Sequence, residues 1–117
     1  MAQEIEDLLL KDICARTPYG IKCEYDGKVI DIISVNLYGE VYPDGVTYTL
    51  PLDKVKPYLR PMSSMTEEEK AEYVNTCYDW YDTLETYDWL NKHHFDYRGL
   101  IEKGLALEAP EGMYKIE

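Results

Sequence analysis

The stretch from residue 56 to residue 69 constrains the fold most, because it separates two halves of different character. It contains Pro57 and Pro61, and each proline fixes its own φ angle and disfavours the helical region for the residue before it. Thr66 and Glu69 then have the spacing of a capping box, in which each side chain accepts a hydrogen bond from the other residue's backbone N–H. The stretch therefore predicts a rigid junction over residues 56–65 and a helix that begins at or near Thr66.

The half before the junction begins with a helical pattern and continues with strand patterns. Residues 3–15 carry apolar side chains at helical spacing, with Asp12 as the one acidic exception on that face. Asp26 and Gly27 are typical of a tight β-hairpin turn. Four short antiparallel strands either curl into a small SH3-like barrel or pack one face on a helix. The predicted strands are 21–25, 29–35, 41–42 and 46–50.

The half after the junction has mostly helical spacing, interrupted near Asp82 and Thr83. Gly104 is placed to end a last short helix, and an apolar run after it indicates a terminal strand. The predicted helices are 66–80, 84–94 and 98–103. A chain of 117 residues is expected to form a single domain. The predicted class is therefore α+β, with a mostly β part over 1–55 that includes the N-terminal helix, and a mostly helical segment over 66–117.

The net charge of the chain limits the kinds of partner that it can bind. Asp and Glu number 23 against 12 Lys and Arg, which gives a formal net charge of −11. Direct binding to a nucleic-acid backbone or an anionic membrane is therefore disfavoured. A basic protein partner fits the sign of the charge, and mimicry of nucleic acid is a weaker alternative. The longest apolar run, residues 8–10, is too short to span a bilayer, and three cysteines without a C-x-x-C motif predict reduced thiols in a cytoplasm.

The residues that most resemble a chemical site are His93 and His94. Neighbouring helical residues point about 100° apart, so the two imidazoles are poorly placed to share a metal ion. We expect them to cap or pack near a helix C-terminus instead. The chain also lacks a nucleophile elbow, a phosphate-binding loop and a recognisable catalytic thiol. The prediction is a protein that is not an enzyme and has no metal or cofactor.

Tyrosine dominates the aromatic residues, with 12 Tyr against two Trp and one Phe. Because tyrosine combines an apolar ring with a polar tip, it suits contact surfaces. The leading interpretation is a protein-interaction module whose contacts lie in the acidic, tyrosine-rich region after the junction. The predicted contact residues are Glu72, Asp79, Tyr81, Asp82 and Glu85. The alternative is a small-molecule or nucleotide pocket between the sheet and the C-terminal helices, and its predicted lining residues are Trp89, His94 and Tyr97. The sequence leaves open whether the chain forms a homo-oligomer.

Two segments of the chain resemble known protein sequences: KPYLRPMSSMTEEE at 56–69 and WLNKHHFDYRGLIEKGLALEAP at 89–110. Together they cover about a third of the chain and resemble a group of small uncharacterised proteins from Bacteroides-type gut bacteria and their phages and mobile elements. The resemblance implies a cytoplasmic protein of a bacterial cell, encoded by the bacterium or a phage. By analogy with small acidic phage proteins, it also implies a modulator of host or defence machinery. It implies no functional residues.

Overall fold

The computed structural model describes residues 2–36, 38–77 and 81–114, with side chains from residue 7 onward. These residues form an α+β arrangement of helices around one sheet, which confirms the predicted class. The helices are α1 Ala2–Arg16, α2 Glu67–Thr76 and α3 Leu84–Lys92. The strands are β1 Ile21–Tyr25, β2 Lys28–Val35, β3 Glu40–Pro43, β4 Leu50–Pro51, β5 Lys56–Leu59 and β6 Leu107–Glu108.

The sheet has the order β4-β3-β2-β1-β5-β6, and its strands are antiparallel except for β5 and β6. Asp26 and Gly27 join β1 to β2 with positive φ angles of 51° and 77°, as the predicted two-residue hairpin requires. A 3-10 turn, Leu52–Lys54, precedes β5, which then returns to lie beside β1. The described pairings leave β4 and β6 at the edges of the sheet, and closure into an SH3-like barrel stays a prediction.

The predicted strand over 46–50 is reduced to its last residue. β4 is Leu50–Pro51, and its two pairs with β3 are Glu40↔Pro51 and Val41↔Leu50. Because Pro51 has no backbone N–H, the ladder cannot gain a donor there. Most of the residues from 44 to 49 form turns and bends instead, so this edge of the sheet is short.

The main core lies between α1 and one face of the sheet. Strand side chains alternate in direction, and those facing α1 are buried together with apolar residues from the C-terminal segment. The buried members are Leu9, Ile13, Ile21, Cys23, Ile32, Val41, Leu50, Leu52, Val55, Leu59, Leu100 and Ala106. A smaller cluster of Met65, Leu90 and Phe95 packs beneath α3.

The junction was predicted to be rigid, and its first half is a strand that pairs with β1 on one side and β6 on the other. Leu59 is buried in the main core and Met65 in the smaller cluster. Arg60 continues the strand by exchanging backbone hydrogen bonds with the 94–96 segment, from its N–H to the His94 carbonyl at 2.7 Å and from the Asp96 N–H to its own carbonyl at 2.8 Å.

The predicted capping box at the start of α2 is confirmed. The Glu69 N–H donates to Thr66 Oγ1 at 3.1 Å, and the Thr66 N–H donates to Glu69 Oε1 at 3.0 Å. α2 ends at Thr76, earlier than the predicted residue 80. The predicted break is present, and Thr83 caps α3. The hydroxyls of Thr83 and Thr86 both donate to the Thr76 carbonyl, at 2.9 and 3.0 Å, which ties the end of α2 to the start of α3.

The predicted helix over 98–103 is wrong, because residues 97–104 form a series of turns. Gly99 has a φ of 73°, which is outside the helical region. The Asp96 carboxylate accepts hydrogen bonds from the N–H groups of Leu100 and Ile101 at 2.9 and 3.0 Å. A short acidic side chain thus takes the donors that a helix would use. The predicted terminal strand does form, as β6.

Candidate groove and its supporting clusters

An open groove of about 670 Å³ lies between the start of α2 and the C-terminal segment. One wall comes from the junction and α2, and the other comes from residues 108–114. The wall on the α2 side consists of Arg60, Pro61, Ser64, Thr66, Glu68, Glu69 and Glu72, and His93 lies beside it, with its carbonyl 3.3 Å from Arg60 Nη1. The opposite wall consists of Glu108, Ala109, Pro110, Glu111, Gly112 and Tyr114. We call this feature the acidic groove.

Arg60 is the one arginine in the lining, and its charge is already neutralised. Its Nη2 and Nη1 atoms bind the two carboxylate oxygens of Glu69, each at 2.8 Å. Its guanidinium carbon lies 4.2 Å from the centre of the Phe95 ring. The hydrogen bond from Arg60 lowers the pKa of Glu69, so that carboxylate stays ionised.

The other carboxylates of the acidic groove carry its net charge. They are Glu68, Glu72, Glu108 and Glu111. Within the described residues, none of the four makes an ion pair or hydrogen bond with another side chain. A helix N-terminus often attracts anions, but here the capping box uses the N–H groups of Thr66 and Glu69, and three glutamates occupy the first turn of α2. The acidic groove is therefore suited to a cation rather than to a phosphate.

His93 forms part of the groove wall and has an unusual hydrogen-bonding state. It follows the last residue of α3, its side chain lies 4.3 Å from the Trp89 ring centre, and the residue is only 7% exposed. Its buried Nδ1 atom has no hydrogen-bond partner among the described residues. Burial lowers the pKa of His93, while Glu72 and Glu69 oppose that shift in part. A neutral imidazole offers one donor and one acceptor nitrogen.

A buried ionic cluster holds α1 against the segment after α3. The carboxylate of Asp12 accepts two hydrogen bonds from Arg16, at 2.9 and 3.0 Å, and one from Arg98 at 2.6 Å. Arg16 also donates to the Phe95 carbonyl at 2.7 Å. Asp12 and Arg16 are fully buried. One carboxylate thus faces two guanidinium groups in the protein interior, where leaving either sign unpaired is costly.

Tyr114 fixes the far wall of the acidic groove to the sheet. Its hydroxyl donates to the Tyr58 carbonyl at 2.7 Å and accepts from the Lys22 N–H at 3.0 Å. It therefore bridges β1 and β5. Its ring stacks on His94 with centres 3.6 Å apart, and His94 has a positive φ of 65°. Together with β6, this side chain holds the C-terminal segment against the sheet.

His94 is expected to make the protein sensitive to acid. Burial, with a smaller contribution from the positive charge of Arg16, lowers the pKa of His94 to about 4, and Arg60 and Lys22 act in the same direction. The unfolded chain therefore binds a proton more readily, so the stabilisation present above the ordinary histidine pKa is lost as the pH falls towards the folded value. The loss from this group between about pH 7 and about pH 5 is roughly 2 kcal/mol.

The test is His94→Asn, because asparagine tolerates a positive φ better than most residues. Urea unfolding would be followed for both proteins at the two pH values. The variant should lose less free energy of unfolding on acidification than the wild type, by roughly 2 kcal/mol. An equal loss in both proteins would show that His94 does not titrate in the expected way.

The predicted contact residues are divided between two places. Glu72 lines the acidic groove, whereas Tyr81, Asp82 and Glu85 are exposed at the start of α3. The carboxylate of Asp82 accepts a 3.4 Å hydrogen bond from the Tyr73 hydroxyl. Asp79 lies outside the described residues.

The residues predicted to line a ligand pocket do not line the acidic groove. Trp89 packs on Phe95 with ring centres 5.7 Å apart, and His94 stacks on Tyr114. The hydroxyl of Tyr97 donates to Asn91 at 3.0 Å. Each has a packing partner of its own, which agrees with the packing role expected of His94.

Sequence reasoning missed Glu108, Glu111 and His93 as groove residues. The parallel pairing of β6 with β5 carries the first two to the α2 side of the molecule. Because β5 and β6 are far apart in the chain, their pairing leaves no local pattern in the sequence. The sequence predicted a capping or packing role for His93. Its position beside the groove depends on where α3 ends.

Comparison with known proteins finds no matching family model, no matching curated protein and no matching solved structure. In the described part of the chain, no helix combines the length and the apolar character needed to cross a membrane. Among the same residues, no three His, Cys, Asp or Glu side chains are grouped so that they could hold a metal ion.

Proposed function

We propose that the chain is a non-enzymatic interaction protein that binds a basic protein partner. The observation that carries the proposal is the exposure of Tyr81 and Leu84 beside carboxylates. Tyr81 is 74% exposed and Leu84 is 85% exposed, and the exposed residues Asp82 and Glu85 adjoin them. Large apolar side chains left in water favour burial in an interface. Tyrosine is also among the residues that contribute most to binding energy.

The charge of the chain supports a basic partner. With a formal net charge of −11, the protein attracts positively charged surfaces over long range and repels acidic ones. On the strength of the string resemblance, we propose further that the partner belongs to bacterial host or defence machinery in the cytoplasm, and that binding modulates it. Because a groove rich in carboxylates repels phosphate, a nucleotide ligand is the less favoured function.

The test is a double variant, Tyr81→Ser with Leu84→Ser, used as bait for affinity purification from a Bacteroides lysate. The matched control is Tyr38→Ser with Tyr48→Ser, which removes two exposed tyrosines on the β side of the molecule. All four side chains are exposed, so both variants should fold. Quantitative mass spectrometry should find equal amounts of one partner on the wild type and on the control. The amount on the double variant should be lower by roughly tenfold or more.

Two results would contradict the proposal. One is that no protein is enriched over a bait-free resin. The other is that the double variant and the control recover the partner in equal amounts, which would place the interface elsewhere on the molecule.

A further inference from the structure

We infer that residues 107–114 form a strap that opens as a unit and leaves the other strands of the sheet paired. The strap begins after Ala106, which is 3% exposed and belongs to the main core. It ends at Tyr114, whose hydroxyl binds the backbone of β1 and β5. This inference goes beyond the proposed function, because it concerns a movement within the fold rather than the exposed surface around Tyr81.

The strap crosses β5 and is fastened on both sides of it. β6 pairs with one edge of β5, whereas β1 pairs with the other edge. On the β6 side, the Ala109 N–H donates to the Leu59 carbonyl at 2.8 Å. On the β1 side, the Tyr114 hydroxyl donates to the Tyr58 carbonyl at 2.7 Å and accepts from the Lys22 N–H at 3.0 Å. Two backbone seams therefore hold the strap closed.

The Tyr114 hydroxyl takes the place of a backbone hydrogen bond between β1 and β5. The pairs between these two strands are Cys23↔Pro57 and Glu24↔Lys56. The same antiparallel register brings Lys22 opposite Tyr58. These two residues are not paired in the described sheet, because the Lys22 N–H and the Tyr58 carbonyl bind the hydroxyl instead of each other. The side chain of the strap is thus inserted into the ladder.

Opening of the strap does not leave these backbone groups without partners. The Lys22 N–H is a donor, the Tyr58 carbonyl is an acceptor, and both face the same hydroxyl. Once Tyr114 leaves, a small approach of the two strands lets them bind each other. The sheet therefore has two paired arrangements, one with β6 in place and one with β1 and β5 joined further along. Two discrete arrangements of one element are the basis of a conformational switch.

The contacts that hold the strap are few, which makes its opening a local event. β6 contributes two residue pairs with β5, and the Tyr114 ring stacks on His94 with centres 3.6 Å apart. Glu108 and residues 110–112 are exposed. The buried members of the main core all lie outside the strap, and Tyr114 packs only against the border of that core. Segments with few buried apolar contacts open at a lower free energy than the core does.

The strap controls access to the edge of β5. In the closed state, β6 occupies that edge at Tyr58 and Leu59. In the open state, the backbone groups of Leu59 that face β6 become free, and an unpaired strand edge is a template for pairing with another chain. The closed strap therefore keeps this edge from other chains, and the orientation of β6 shows that the edge accepts a parallel strand.

The test compares amide hydrogen exchange in the whole wild-type chain and in Tyr114→Phe by nuclear magnetic resonance. The Ala109 N–H reports on the strap, and its exchange should be roughly tenfold faster in the variant, which loses only the hydroxyl. The Lys22 N–H should exchange within about twofold of the wild-type rate, because the Tyr58 carbonyl replaces the lost acceptor. The matched control, Tyr48→Phe, removes a hydroxyl from a residue that is 59% exposed and should change neither rate.

Two results would overturn the inference. Faster exchange at Lys22, in step with Ala109, would show that β1 and β5 separate when the strap opens. An unchanged rate at Ala109 would show that the hydroxyl of Tyr114 does not hold the strap closed.

Discussion

Asp12→Asn is expected to lower the free energy of unfolding by about 3–5 kcal/mol. The substitution keeps the size of the side chain and removes its charge. Arg16 is fully buried and relies on this carboxylate for two hydrogen bonds, and Arg98 relies on it for a third. The fully buried Arg16 and the partly exposed Arg98 would then share a neutral amide. The penalty comes from the uncompensated buried charge rather than from lost packing.

The matched control is Asp31→Asn, which breaks an ion pair with Lys22 on the outer face of the sheet. That carboxylate is 55% exposed, and an exposed pair contributes at most about 1 kcal/mol. Urea unfolding at neutral pH would measure both variants against the wild type. A loss below about 1 kcal/mol for Asp12→Asn would mean that water or an ion already compensates the cluster, contrary to expectation.

Phe95→Ala is expected to cost about 3–5 kcal/mol, as large aromatic deletions in closed cores do. Phe95 is completely buried and stacks on Trp89 at 5.7 Å. The Arg60 guanidinium carbon lies over the same ring, 4.2 Å from its centre. Deleting the ring would therefore leave a cavity beneath α3 and remove the support for the ion pair of Arg60 with Glu69 in the groove.

Leu84→Ala is the matched control, because Leu84 is 85% exposed and its truncation should change stability by no more than about 0.5 kcal/mol. Thermal and urea unfolding of the two variants would be compared. A small loss for Phe95→Ala, close to that of the control, would show that the cluster beneath α3 is not a closed core.

Local signals in the sequence were enough to predict the parts of the fold that local contacts determine. The capping box of Thr66 and Glu69 and the Asp26–Gly27 hairpin turn form as expected, because both depend on residues within one turn of each other. The helix over 98–103 failed for an equally local reason. Asp96 and the positive φ of Gly99 favour turns there, and the spacing of apolar residues does not register either effect.

Long-range contacts explain what could not be predicted. Asp12 stood out only as an acidic exception on an apolar helix face, and its partner Arg98 lies 86 residues away. The acidic groove depends in the same way on β6 lying parallel to β5. Glu72 was predicted as a contact residue from the acidic composition of its region. The carboxylates opposite it, Glu108 and Glu111, have no local pattern in the sequence, because the pairing of β6 with β5 brings them to the groove.

The central claim is that the chain binds a basic protein partner through the exposed side chains of Tyr81 and Leu84. The most direct measurement is the affinity of the partner recovered from the lysate for three purified proteins: the wild type, the Tyr81→Ser, Leu84→Ser variant and the Tyr38→Ser, Tyr48→Ser control. The expected result is a dissociation constant roughly tenfold higher for the first variant than for the wild type and the control. Equal affinity of all three proteins for the partner would contradict the claim.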